Sequence, residues 1–164
     1  MEVWKDIAGY EGLYQISNLG RVKSIERWQY NPVCKDSKQY HPEKIKIPSE
    51  RKRKNAKQGY LALQLYKDNK GKNCYIHRLV AEAFIPNPDN KETVNHINGD
   101  KHDNRVENLE WSTYRENNVH AYKTGLNDET HRRNCKGSYP VEQYDKDMNL
   151  IAVYPSMREA ERQT

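Results

Sequence analysis

Phenylalanine is almost missing: the 164 residues hold one Phe against 12 Tyr. That excludes a core built on stacked apolar rings. Tyr half-buries its ring and keeps its hydroxyl wet, which suits small sheets with exposed faces. Apolar residues are scarce in general, at 35% of the chain with a mean hydropathy of -1.19. Several small modules with thin cores fit this length better than one large core. No apolar run reaches the roughly 18 residues that span a bilayer, so no membrane partner is expected. The N-terminus, MEVWKDIAGY, carries charges where a secretory leader has an apolar stretch, and a cytoplasmic protein is expected. Cysteine is sparse too. Cys34, Cys74 and Cys135 form no CxxC pair, which argues against a zinc ribbon and a disulfide framework. Cys74, in an apolar strand pattern, is expected as a small core residue.

What the chain has in excess is positive charge. Its formal net charge is +5 and its pI about 9.0, which favours an anionic partner, nucleic acid first. LYQIS and RVKSI alternate apolar and polar residues around Asn18, Leu19 and Gly20, the pattern of a β-hairpin. Trp4, Ile7, Tyr10 and Tyr14 are placed to pack on one side of it, and Lys5, Arg21 and Lys23 make its exposed face a candidate DNA surface. Residues 27–57 show weak periodicity and are rich in Pro, Lys, Asn and Ser. Within them ERKRKNAK carries Arg51, Lys52, Arg53, Lys54 and Lys57, a strip suited to sequence-independent phosphate contact. A second hairpin follows, YLALQLYK, DNKG and NCYIHRLV, and passes into a helical pattern at HRLVAEAFI that ends near Pro86. His77 at that junction is expected as a packed, hydrogen-bonded residue.

Residues 93–122, TVNHINGDKHDNRVENLEWSTYRENNVHAY, hold six Asn and three His in 30 positions. TVNH reads as a strand ending at His96 and INGDKHDNR as a polar loop with the turn pair Asn98 and Gly99. VENLEW reads as a second strand and STYRENNVHAYKTG as a helix. Thr113 and Glu116 make a capping box at its start, and Gly125 a C-terminal stop. His102, Asn98 and Asn104 are expected to serve loop geometry, and His120 packing or capping.

Asn95 and His96, Asn108 and Leu109, and Asn117, with HRLVAEAFI upstream, resemble the HNH endonuclease family over about residues 75–122. WKDIAGYEGLYQISNLGRVKSI is similar to the N-terminal DNA-binding module of phage and intron-encoded HNH homing endonucleases. VEQYDKDMNLIAVYPSMREAERQT is similar to the start of their C-terminal module, a hairpin followed by a helix-turn-helix, with the chain ending inside its first helix. The resemblance implies an α+β fold, elongated, with small antiparallel β-hairpin modules and a ββα-metal core. Its expected parts are a DNA-binding module with basic linker (1–57), a nuclease core (58–125) and an incomplete DNA-binding module (126–164).

The implied function is site-specific, metal-dependent DNA endonuclease activity of the homing type, nicking double-stranded DNA as a monomer in a bacterial or phage-infected cell. His96 would be the general base, because imidazole titrates near neutral pH. Asn108 would hold the loop and the surroundings of His96. Asn95 and Asn117 match the positions that hold one divalent cation, and their oxygens suit Mg²⁺ or Mn²⁺. Arg78, Arg105 and Arg115 join the candidate phosphate contacts. Asn95 departs from the Asp or His common at its position, so these two ligands bring no formal charge. Asp100 and Asp103 in the loop are the carboxylates that would compensate, although spacing alone does not place them at the cation. The alternatives are a non-catalytic DNA-binding protein that keeps this fold, and a structural or protein-interaction module.

Overall fold

In the computed structural model, residues 1–30, 37–52, 54, 58–126 and 140–163 are described. Arg53, Cys34 and Cys135 lie outside them. The chain divides into two compact units, residues 1–117 and 118–164.

The first unit opens with β1 (Trp4–Asp6), β2 (Tyr14–Ser17) and β3 (Val22–Ser24), an antiparallel meander joined at its edge by β6 (Lys44–Lys46). The β2–β3 turn uses Gly20 at φ +80°, a conformation open to glycine without a Cβ clash. Ile7, Tyr14, Ile16 and Val22 are buried, and Tyr10 packs against them. Trp4 stays half-buried with the Arg21 and Lys23 cations over its ring.

Where the sequence shows only weak periodicity, the structure holds β4 (Arg27–Tyr30), β5 (Lys38–His41), β6 and β7 (Ser49–Arg51). β4 pairs with β5, and β7 pairs with β8 (Tyr60–Lys67). These strands are mostly exposed. With no buried face to mark, they carry no alternation for the eye to find. β8 turns back into β9 (Lys70–Tyr75) through Asp68 and Asn69, both at positive φ, the two-residue hairpin turn that such residues favour. Gly59 is crowded: a Cβ there would lie 2.6 Å from the Arg51 carbonyl oxygen.

α1 (Ile76–Phe84) starts where β9 ends and buries Ile76, Leu79, Val80 and Ala81. Pro86 biases the residue before it away from helix, and Ile85 is extended. One buried cluster joins Ile7, Tyr14, Ile16 and Val22 to Leu63, Leu65, Leu79, Val80, Val94 and Leu109. The N-terminal meander, the long hairpin and α1 therefore share a core. Cys74 is partly buried against it.

β10 (Thr93–His96) pairs antiparallel with β11 (Leu109–Ser112), and α2 (Tyr114–Lys123) follows. Val106–Asn108, expected as strand, forms a 3₁₀ turn instead. The Asn108 backbone N–H donates to Arg105 O at 2.9 Å and shortens the strand. The capping box forms: Thr113 N–H donates to Glu116 Oε2 (2.7 Å), and Glu116 N–H to Thr113 Oγ1 (3.2 Å). Gly125, at φ +69°, ends the helix.

In the second unit β12 (Val141–Tyr144) pairs with β13 (Leu150–Tyr154), and α3 (Met157–Gln163) follows. Asp145 closes their turn by accepting from the backbone of Asp147 and Asn149. Among the described residues, no helix is long and apolar enough to cross a membrane.

Candidate active site

The density of Asn has a structural answer. The loop between β10 and β11 has little regular backbone pairing, so carboxamides close it. Asn108 is its staple: Oδ1 accepts from Asn98 N–H (2.9 Å), while Nδ2 donates to Asn98 Oδ1 (2.9 Å) and to Asp103 O (2.8 Å). Ile97 N–H donates to Asn108 O at 2.9 Å. Asn108 thus holds the loop, with no direct bond to His96 among those the described residues make.

His96 ends β10 and is 5% exposed. Its Nε2 lies 3.0 Å from Asn104 Oδ1. A carbonyl oxygen only accepts, so Nε2 carries the proton and Nδ1 the lone pair. Asn104 is itself buried, and its Nδ2 donates to His102 O at 3.1 Å, which fixes which end of the amide faces His96. Asn104 therefore does more than shape the loop.

The β2–β3 turn braces this arrangement. Val106 N–H donates to Asn18 O at 2.9 Å. A Cβ at Gly20 would sit 3.0 Å from Asn104 Cβ and 3.1 Å from Asn104 O, so this close approach needs glycine twice over, for space and for φ.

Two rings also pack near His96. The His77 centroid is 5.3 Å away, edge-on, and the Tyr60 centroid 6.1 Å away. Tyr60 and Tyr75 flank His77 at 4.8 Å and 5.7 Å. His77 is packed as expected, but among the described residues its buried Nδ1 has no hydrogen-bond partner. Burial pushes its pKa down to about 3, helped by the nearby His96 and Arg78. Burial likewise holds His96 below the ordinary histidine value, partly offset by its bond to Asn104. Burial thus favours the neutral form of both rings.

Asn95 lies directly across the ribbon from Glu110. It is 5% exposed, and its Nδ2 donates to Glu110 Oε1 at 2.8 Å. Asn117 is half-buried near the start of α2, its N–H donating to Thr113 O. Among the described residues, no hydrogen bond joins the Asn117 side chain to Asn95 or His96, and no group of three His, Cys, Asp or Glu clusters as a cation site. The loop carboxylates are engaged elsewhere. Arg105 grips Asp103 through Nε and Nη2, both at 2.8 Å, and lowers its pKa to about 2. Asp100 accepts from Gln58 Nε2 (2.6 Å) and His102 N–H (2.9 Å).

Several candidate phosphate contacts have internal partners. Lys5 donates to Ala83 O at 2.9 Å and lies over Phe84. Arg21 pairs with Glu2, Lys23 with Glu43 (3.0 Å), and Arg78 with Glu92 O (3.2 Å). Arg51, Lys52, Lys54 and Arg115 are exposed.

Comparison with known proteins gives two family matches. Residues 2–79 match the NUMOD4 motif family, and residues 74–119 match the HNH endonuclease family. An uncharacterized HNH endonuclease, L245, of Acanthamoeba polyphaga mimivirus is 40% identical over 106 residues, 65% of this chain and 30% of its own. The DNA endonuclease I-HmuI of Bacillus phage SP01 is 40% identical over 114 residues, 70% of this chain and 54% of its own. The chain thus spans about a third to a half of the length of these relatives. A solved structure of I-HmuI, described as showing DNA binding and cleavage, aligns with a TM-score of 0.55 at 29% identity over 98% of this chain and 82% of that one. With the strand–loop–strand–helix order and the buried Asn and His set, these matches assign residues 74–119 to the HNH endonuclease family and make the chain similar to homing endonucleases of that family.

Proposed function

We propose that this protein is a site-specific DNA endonuclease that nicks duplex DNA, with His96 as general base. One observation carries the reading. The Asn104 bond to Nε2 leaves the His96 lone pair on Nδ1, in a ring kept neutral by burial. A neutral imidazole with a fixed tautomer takes a proton from an attacking water, work worth about 10²–10⁴ in rate. Asn108 keeps the loop closed so that Asn104 stays in place. Asn95 and Asn117 are proposed as ligands of one Mg²⁺ or Mn²⁺ ion. The Asn95 side chain fits that role, because Glu110 occupies its nitrogen and leaves the oxygen, the atom a hard cation takes. When bound, the ion would stabilise charge on the phosphate and the departing 3′ oxygen.

Residues 1–57 and 126–164 are proposed to contact DNA in addition to the cleavage core. Exposed Arg51, Lys52 and Lys54 supply phosphate contacts without sequence information. Lys5, Arg21, Lys23, Arg78 and Arg105 would reach phosphate only by exchanging the partners they hold. A single catalytic unit cuts one strand. A non-cleaving DNA binder is the second reading, favoured by the neutral carboxamide at Asn95.

Nicking of supercoiled plasmid in Mg²⁺ or Mn²⁺ decides between them. Wild type is expected to nick, and His96→Ala to lose nicking while still shifting duplex DNA. Equal nicking by both would remove His96 from the mechanism. A wild type that shifts DNA without nicking would select the second reading.

A further inference from the structure

The proposed cation ligands are two neutral carboxamides, yet Mg²⁺ sites at phosphates ordinarily include one or two carboxylates. Asp103 and Asp100 are held by Arg105, Gln58 and the His102 backbone. Glu110 is different. It is exposed, stands directly across the ribbon from Asn95, and bonds the Asn95 side chain at 2.8 Å. Among the described residues it has no Lys or Arg within ion-pair distance; the neighbouring Lys91 ammonium is bonded to Glu116 at 2.9 Å. Lys91 senses the Glu110 charge at a distance but makes its bond to Glu116, and a carboxylate near a DNA phosphate repels it unless a cation lies between them. The same carboxylate, by accepting from the amide nitrogen, draws electron density onto Asn95 Oδ1 and makes it a better donor to a hard ion.

We infer that Glu110 supplies the negative charge of the cation site and orients Asn95, so that the pair replaces the single carboxylate found elsewhere. This rests on the metal reading of Asn95 above. The ribbon register is what makes it possible, since a shift of one residue would put Leu109 or Trp111 opposite Asn95.

The test is Mn²⁺ titration of the whole chain without DNA, followed by the paramagnetic resonance of free Mn²⁺. Four proteins are compared: wild type, Glu110→Gln, Asn95→Ala, and Asn95→Asp combined with Glu110→Gln. Circular dichroism melts confirm that each folds. Gln at 110 still accepts the Asn95 N–H but carries no charge. Glu110→Gln is expected to weaken Mn²⁺ binding about tenfold to a hundredfold, and Asn95→Asp in that background to restore it. Binding by Glu110→Gln equal to wild type, while Asn95→Ala loses the ion, overturns the role of Glu110 alone. So does a loss that Asn95→Asp fails to restore. Wild type and Asn95→Ala behaving alike overturns the metal reading of Asn95 itself.

Discussion

Two ribbons in the same compact unit put opposite chemistry inside. β10–β11 buries Asn95, His96 and Ser112, while β4–β5 leaves Trp28, Tyr30 and Tyr40 at 67%, 63% and 46% exposure. In the first, each buried polar group meets a partner: His96 meets Asn104, which in turn meets His102, Asn95 meets Glu110, and Ser112 meets Thr93. Water exclusion makes such a network strong when complete and costly when broken. In the second ribbon, Trp28 and Tyr40 pair across the strands at 5.1 Å, and the Lys38 ammonium lies over Tyr30. Those contacts hold side chains in place on a surface that stays in water. A change in the first ribbon should therefore reach the chemistry, and a change in the second should not.

The largest effect is expected from Asn104→Ala. It frees the tautomer and tilt of His96, and single-turnover nicking should fall about 10²-fold with DNA affinity unchanged. Unaltered nicking would break the link between loop and base. His77→Phe should change stability rather than rate, and do so with pH. The folded His77 value of about 3 lies below the ordinary 6.5. The unfolded chain takes up a proton near 6.5 that the folded chain refuses until about 3. The stability contributed by the neutral ring is whole above 6.5 and drains between 6.5 and about 3, at up to about 1.4 kcal/mol per pH unit. Thermal melts against pH should flatten over that range in His77→Phe. An unchanged slope would mean that the ring is not desolvated.

Gly20→Ala is expected to cost about 1–3 kcal/mol in urea unfolding, because a Cβ at positive φ is strained and meets Asn104. It should also slow nicking, since the brace on Asn104 moves. Trp28→Ala is expected to be smallest, at most about 1 kcal/mol from an exposed ring pair, with the rate constant unchanged. A slowed rate constant in Trp28→Ala would erase the contrast between the ribbons.

Much of this was legible in the sequence, wherever one local pattern determined one local structure. The capping box of Thr113 and Glu116, the alternation of β8 and the loop-holding role of Asn108 are all of that kind. β4 to β7 were not legible, because strands exposed on both faces carry no period. The 3₁₀ turn at Val106–Asn108 hid inside a β-rich string, because the backbone bond that closes it, from Asn108 N–H to Arg105 O, leaves no mark on the apolar pattern. Asn104 looked like a turn residue. Its role depends on a chain path set by Asn18 and Gly20, more than 80 positions earlier. Glu110 is one letter of the VENLEW strand pattern, and only the register places it beside Asn95. The internal pairing of Arg21, Lys23, Arg78 and Arg105 is likewise a product of three-dimensional proximity that composition does not carry.

The central claim is that a buried, neutral His96 with its lone pair on Nδ1 takes the proton from water. Single-turnover nicking measured from about pH 5 to 8 tests it most directly, because that range brackets histidine titration. Wild type should rise with pH to a plateau, with its midpoint below the ordinary 6.5, since burial depresses the His96 value and only the unprotonated ring is active. A midpoint above that value, or the same rising limb in His96→Ala, would contradict it.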